Sequence, residues 1–122
     1  MYANGKLQSY RELLVWQKSI ALARETYIFC NGLPPLEKYG LISQLERCAV
    51  SVPSNIAEGY DRNNTKEFIQ FLGIALGSSA ELETQLIICE SVYPNLSQNE
   101  VRPVLTEVRK MLKALINKLK TQ

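Results

Sequence analysis

The chain has 122 residues, of which 46% are apolar and 21% charged, values typical of one soluble globular domain spanning 1–122. Its net charge is only +2, which gives no global field favouring nucleic acid, and it has no histidine, the commonest general base and metal ligand. Its three cysteines include no C-x-x-C pair and form neither a disulfide framework nor a zinc site, so we expect free thiols, no cofactor and a cytoplasmic location. No apolar stretch approaches the length of about 20 residues that a membrane span needs, so no span is expected.

Two helices are predicted in the first half of the chain. Ser9 lies three residues before Glu12, as in a capping box, and begins a helical apolar pattern over 10–31. A second helix is predicted over 35–58. It contains Pro53, which removes a backbone hydrogen bond, and we expect a kink there rather than two separate helices.

Two further helices are predicted in the second half. Asn64 precedes Glu67 by three residues and begins a helix over 65–93, and Ser97 begins another over 98–120. No segment alternates with period two, so no strand is expected. The predicted fold class is all-α, an antiparallel up-down-up-down four-helix bundle.

The third helix is apolar or small on nearly its whole circumference between residues 68 and 80. A helix without a polar face is buried on more than one side. Its small residues, including Gly73 and Gly77, permit two interpretations. They pack tightly against the second helix, or they face another subunit. We expect self-association.

A polar stripe recurs at spacings of three and four in the second helix, which places its members on one helical face. Unpaired buried polar groups cost about 1–3 kcal/mol, so these side chains must find partners. Together with polar residues of the third helix they predict a buried or interfacial network, with ligand contact as the alternative. Its expected members are Gln44, Arg47, Ser51, Asn55, Glu58, Glu81, Glu83 and Gln85. We expect Arg47 to form ion pairs with glutamates of this set, and we expect no metal or catalytic residue.

The last segment, 96–122, carries six Lys/Arg against two Asp/Glu. Most of its basic side chains share one stripe of the fourth helix, and Lys110 and Lys118 lie to the side of that stripe. The stripe is either a solvated face or a surface for phosphate groups, with contacts directed to the backbone and little sequence preference. The candidate nucleic-acid-binding residues are Arg102, Arg109, Lys110, Lys113 and Lys120.

Several segments carry recognisable motifs, namely Arg62 and the stretches 14–18 (LVWQK), 39–41 (YGL), 51–59 (SVPSNIAEG) and 77–85 (GSSAELETQ). Over about residues 8–120 the chain resembles the bacterial four-helix-bundle family named after the 23S rRNA intervening-sequence protein. The resemblance implies a homopentameric ring of antiparallel bundles. Some members of that family are encoded inside insertions of 23S rRNA genes. A structurally similar group, the accessory variability determinants of diversity-generating retroelements, binds a reverse transcriptase and nucleic acid through a basic pentamer.

Two functions therefore stand as expectations. The first is a non-enzymatic ring scaffold that binds RNA or a ribonucleoprotein partner. The second is a structural or protein-interaction module without nucleic-acid binding. An enzyme is not expected, because the sequence contains no nucleophile–base pair and no phosphate-binding loop.

Overall fold

The computed structural model describes residues 8–122, and residues 1–7 of the predicted domain lie outside the described part. Within that part the chain forms four α-helices and two short 3₁₀ turns, without a strand, which confirms the all-α class. The helices are α1 (Leu14–Cys30), α2 (Leu41–Asp61), α3 (Thr65–Val92) and α4 (Val101–Lys120).

The helices surround one apolar core. α1 packs against α2 and α4, and α3 packs against the same two helices, so each helix has two principal neighbours. Every helix contributes buried side chains, among them Leu22, Ile56, Phe68 and Leu112. Each such side chain stabilises the fold by about 1.5–3 kcal/mol. None of the described helices is long and apolar enough to cross a membrane.

α1 begins at Leu14, later than the residue 10 predicted. Ser9 does form a cap, but its Oγ accepts from the backbone N–H of Arg11 and so closes a separate 3₁₀ turn, Tyr10–Glu12. Leu13 then adopts extended backbone angles, with ψ of 126°, and separates the turn from the helix. The capping residues therefore begin a shorter element than their spacing indicated.

α2 begins at Leu41 rather than near residue 35. The predicted first turn is a separate 3₁₀ turn, Pro35–Glu37, and Gly40 follows it with φ of −113° and ψ of −110°. These angles lie outside the helical region, so the chain changes direction at the glycine before α2 starts. Further along, Pro53 lies inside α2, and the helix continues past it to Asp61.

α3 and α4 differ in how well their starts were predicted. Asn64 Oδ1 accepts from the Glu67 backbone N–H at 3.0 Å, the cap expected from the sequence, and α3 follows directly. α4 begins at Val101 rather than at residue 98. Ser97 Oγ instead accepts from the Asn99 N–H at 3.2 Å, so the hydroxyl stabilises a local turn ahead of the helix.

Candidate interaction surfaces

A hydrogen-bonded cluster joins α2 to α3 in the middle of the predicted polar stripe. Ser51 Oγ lies 2.8 Å from Ser78 Oγ, and Asn55 Nδ2 donates to Ser51 Oγ at 2.9 Å and to the Ser51 carbonyl at 2.8 Å. The structure thus brings together two predicted residues and adds Ser78, which the sequence indicated only as a small residue. We call these three residues the serine–asparagine cluster.

The two predicted glutamines also lie next to each other, with weaker contacts. Gln85 Nε2 donates to Gln44 Oε1 at 3.4 Å and to Cys48 Sγ at 3.5 Å. Gln85 Oε1 is buried and has no hydrogen-bond partner in residues 8–122. Because a 3.4 Å bond is long and an unsatisfied buried acceptor is costly, this pair adds little stability to the single chain.

The charged members of the predicted network lie outside it. Glu58 pairs with Arg62 on its own helix, with Glu58 Oε2 and Arg62 Nη2 3.1 Å apart. Arg47 and Glu81 are exposed and Glu83 is half-buried. None of these three has an ion-pair partner within the described chain. The expected pairing of Arg47 with a glutamate is therefore not made within one chain, where Arg47 and Glu81 face solvent. A pairing across an interface between subunits stays a prediction.

The glycines of α2 and α3 have opposite environments. A Cβ at Gly59 would lie 2.5 Å from Phe71 Cβ and 3.0 Å from Phe68 Cδ1, so this position permits the close approach of the two helices. A Cβ at Gly73 or Gly77 would meet nothing within 4 Å. Although the small residues Ala75, Ser78 and Ser79 are buried, tight packing against the second helix, the first of the two interpretations, is therefore wrong for these two glycines. Each costs about 1 kcal/mol of helix stability relative to alanine, with no packing gain inside the chain.

Around the open glycines, α3 presents a smooth and partly apolar surface. Ile74 is 51% exposed and Ile88 is 45% exposed. Helical spacing places both on the same side as the two glycines. We define the α3 outer face as Gly73, Ile74, Gly77, Glu81 and Ile88, all of which are exposed. This surface offers apolar contact and unusually close access to the helix backbone.

A second apolar surface is a groove between α1 and α2. It has a volume of 330 Å³ and includes two partly exposed branched residues, Ile20 (41%) and Val50 (43%). At one end the rings of Tyr10 and Trp16 pack with centroids 5.3 Å apart. We call it the α1–α2 groove and define it by Trp16, Ile20, Ala23, Val50, Pro53 and Ala57. The sequence analysis did not single out this groove, because its two walls come from different helices.

The predicted basic residues of α4 divide into two groups. Arg109 Nη1 donates to Ser79 Oγ at 2.8 Å and to the Leu76 carbonyl at 3.3 Å, so its head group joins α4 to α3. Arg102 Nη1 donates to Gln98 Oε1 at 3.1 Å. Both arginines are half-buried. The expectation that the whole stripe lies away from the protein interior is wrong for these two residues.

The remaining basic candidates, Lys110, Lys113 and Lys120, are all exposed, and none makes an ion pair within residues 8–122. With the neighbouring Lys118, also exposed, they leave a four-lysine surface on the last part of α4. A set of unpaired lysines on one helix is suited to phosphate groups as point charges. We call these four residues the α4 lysine surface.

The three cysteines are free thiols, with Cys30 and Cys89 buried and Cys48 half-buried. Burial, followed by the charges of Glu46 and Cys89, raises the pKa of the Cys30 thiol to about 12. Burial likewise raises the pKa of Cys48 and of Cys89. At neutral pH all three are held in the unreactive thiol form. Among the described residues no three His, Cys, Asp or Glu side chains group as metal ligands would.

Comparison with known proteins agrees with this architecture. A solved structure from Bacteroides thetaiotaomicron, described as a protein of unknown function from the S23 ribosomal protein family, superposes with a TM-score of 0.71. The match covers 84% of this chain and 98% of that chain at 24% identity, and it concerns the fold. No curated protein matches the chain significantly. The family model described as 23S rRNA-intervening sequence protein matches residues 11–117. The protein therefore belongs to the 23S rRNA-intervening sequence protein family.

Proposed function

We propose that this protein is a non-enzymatic scaffold that assembles into a homo-oligomeric ring, with a pentamer expected from the family resemblance. The ring binds RNA or a ribonucleoprotein partner, such as a complex containing a reverse transcriptase, through the α4 lysine surface. Three unreactive thiols and the lack of histidine in the sequence support a role without catalysis. The same free thiols support residence in the cytoplasm.

The helix contacts support an antiparallel bundle as the unit of the ring. Gln44, near the start of α2, contacts Gln85 in the second half of α3. Gly59, near the end of α2, lies against Phe71 in the first half of α3. Contacts that pair the start of one helix with the end of the next are those of an up-down connection with a short loop.

The observation that carries the scaffold proposal is the open position of Gly73 and Gly77 on a helix that is apolar on most of its surface. In the isolated chain these glycines weaken α3 without any compensating contact. A neighbouring subunit supplies such a contact, because residues without a side chain let two helices approach closely. Sedimentation equilibrium tests this directly. We expect one species several times the 13.8 kDa chain mass, and a monomer at micromolar concentration would disprove the scaffold.

Nucleic-acid binding is proposed from the α4 lysine surface and is electrostatic. If Lys110, Lys113 and Lys120 each contact one phosphate of single-stranded RNA, the logarithm of the affinity falls with the logarithm of salt with a slope of about −2 per subunit. Several copies in one ring multiply this dependence. Unrelated RNA sequences should bind with similar affinity, because lysine contacts to phosphates carry no sequence information.

A matched pair of double variants tests the RNA proposal. Lys113→Gln with Lys120→Gln removes two charges from the proposed surface. Lys38→Gln with Lys66→Gln removes two exposed lysines elsewhere and leaves the same net charge. We expect only the first variant to weaken RNA binding and to flatten the salt dependence. Equal effects of both variants would show that only net charge matters.

The second candidate function is a protein-interaction module without nucleic-acid binding. One observation favours it, since the basic excess of the last segment is partly used inside the chain. Arg102 and Arg109 are bound to neighbouring residues. Purification at low salt separates the two functions. Nucleic acid that copurifies and is removed by high salt supports the scaffold that binds RNA, and its absence supports the module.

A further inference from the structure

The negative charge of Glu81 on the α3 outer face limits which surfaces can pack against this face. Glu81 lies on this face beside Gly77, and it has no ion-pair partner within the described chain. Lys66 lies on the same side of α3, but four turns before Glu81 and so near the start of the helix. Two α3 outer faces packed in parallel would bring the two Glu81 carboxylates together, which is unfavourable. A parallel α3-to-α3 contact is not suited to this surface.

The α1–α2 groove has the complementary properties. It is apolar, it is concave, and arginines lie beside it. Arg24 follows Ile20 by one helical turn on α1, and Arg47 precedes Val50 by about one turn on α2. Both arginines are exposed. Arg24 Nε lies 3.9 Å from Glu25 Oε2 on its own helix, whereas Arg47 has no ion-pair partner in residues 8–122. The half-buried Glu46 also lies beside the groove, one turn before Val50. The same chain thus carries an apolar face with an unpaired carboxylate and an apolar groove with the unpaired Arg47 beside it.

We propose that the α3 outer face of one copy docks into the α1–α2 groove of the next copy. The inference rests on the proposed homo-oligomer and names the two surfaces that form it. Open glycines let the wall of the groove approach the α3 backbone, Ile74 and Ile88 fill apolar space, and Glu81 meets Arg47 beside the groove. Because the two surfaces differ, the contact is heterologous, and repetition of one such contact closes a ring.

Two variants block the two surfaces separately. Gly77→Gln places a long side chain on the α3 outer face, where the single chain has open space, and replaces glycine with a better helix former. Ile20→Gln with Val50→Gln makes the groove polar at two partly exposed positions. We expect each variant alone to sediment at the 13.8 kDa of a single chain while keeping its helical circular dichroism.

An equimolar mixture of the two variants is the decisive sample. The Gly77→Gln copy retains an intact groove, and the groove variant retains an intact α3 outer face. One functional contact remains possible and no ring closes, so native mass spectrometry with one variant isotopically labelled should show a heterodimer of twice the chain mass. If the interface were symmetric, one of the two variants, measured without the other, would keep the wild-type mass.

Two exposed positions outside both surfaces serve as controls. Ile28→Gln changes a residue of α1 that is 55% exposed and lies outside the groove, and Ala114→Gln changes an exposed residue of α4. Both should keep the wild-type mass. The inference is overturned if the groove variant keeps that mass, or if the mixture contains no heterodimer at the highest soluble concentration. A monomeric wild type would instead overturn the scaffold function itself.

Discussion

Replacement of Arg109 by glutamine is expected to destabilise the protein, whereas the same replacement of Lys113 is expected to leave its stability unchanged. The two residues lie one helical turn apart on α4, and each loses one positive charge. They differ in their contacts. Arg109 is half-buried and bonded to Ser79 and Leu76 of α3, and Lys113 is exposed. The comparison therefore isolates the contact with α3 from the change in charge.

The size of the effect follows from these contacts. A hydrogen bond from a charged donor contributes about 1.5–3 kcal/mol, and the partial exposure of Arg109 places its contribution at the lower end, about 1.5 kcal/mol. Ser79 Oγ also donates to the Leu76 carbonyl, so the hydroxyl keeps a partner and no larger loss is expected. At roughly 4 °C per kcal/mol for a domain of this size, the melting temperature should fall by about 6 °C. An exposed substitution such as Lys113→Gln stays within about 0.5 kcal/mol of the wild type.

Urea unfolding followed by circular dichroism measures both variants. All samples need one protein concentration, because assembly changes the apparent stability. We expect a lower urea midpoint for Arg109→Gln with an unchanged slope, since the surface exposed on unfolding stays the same. Equal midpoints for the two variants would refute the reasoning, because they would show that the contact of Arg109 with α3 adds no stability. In RNA binding the order should reverse, with Lys113→Gln the more damaging change.

Five further outcomes are expected. Gly59→Ala should lower the urea midpoint, because the alanine Cβ would lie 2.5 Å from Phe71 Cβ. The overpacking cost of about 1–3 kcal/mol exceeds the gain in helix propensity. An unchanged midpoint would contradict this contact. Asn64→Ala should cost about 1 kcal/mol by removing the N-cap of α3. Asn55→Leu should cost about 1–3 kcal/mol, and unaltered melting would exclude a role for the serine–asparagine cluster. Iodoacetamide should modify Cys30 slowly until urea unfolds the chain. The Cys30 thiolate is less favourable in the folded than in the unfolded chain, so the raised pKa of Cys30 contributes stability that is complete below the ordinary value of 9.0. This contribution should disappear as the pH rises toward 12.

The sequence was sufficient for helix number and less sufficient for helix starts. Asn64 gave the correct start of α3 because its side chain bonds to a backbone N–H within the same turn. Ser9 and Ser97 carry the same signal, yet each hydroxyl bonds to the N–H two residues on and stabilises a turn instead. The serine oxygen can accept from the N–H two residues on or from the N–H three residues on, and the choice depends on the path of the neighbouring chain. Spacing alone contains no information about that path.

The candidate surfaces were predicted unevenly for a related reason. Periodicity correctly grouped Ser51 with Asn55, but it did not identify Ser78 as their partner, because the pairing of two helices depends on their register. The same limitation applies to Arg109. A helical projection places it within the basic stripe, and only the position of α3 decides that its head group is bound rather than free. Sequence patterns assign a residue to a face, while the neighbouring helix determines what that face contacts.

The separation of the surfaces has a consequence for how the proposed scaffold works. The α4 lysine surface shares no residue with the α3 outer face or with the α1–α2 groove, so we expect the proposed contact to leave Lys113 and Lys120 exposed in every copy. A ring then repeats a weak phosphate surface at fixed spacing, and binding at several copies raises the overall affinity by effective concentration. The Gly77→Gln monomer retains all of its lysines. It should therefore lose most of its RNA affinity and most of its salt dependence without any change in the binding residues. Equal RNA binding by this monomer and by the ring would show that assembly serves another purpose.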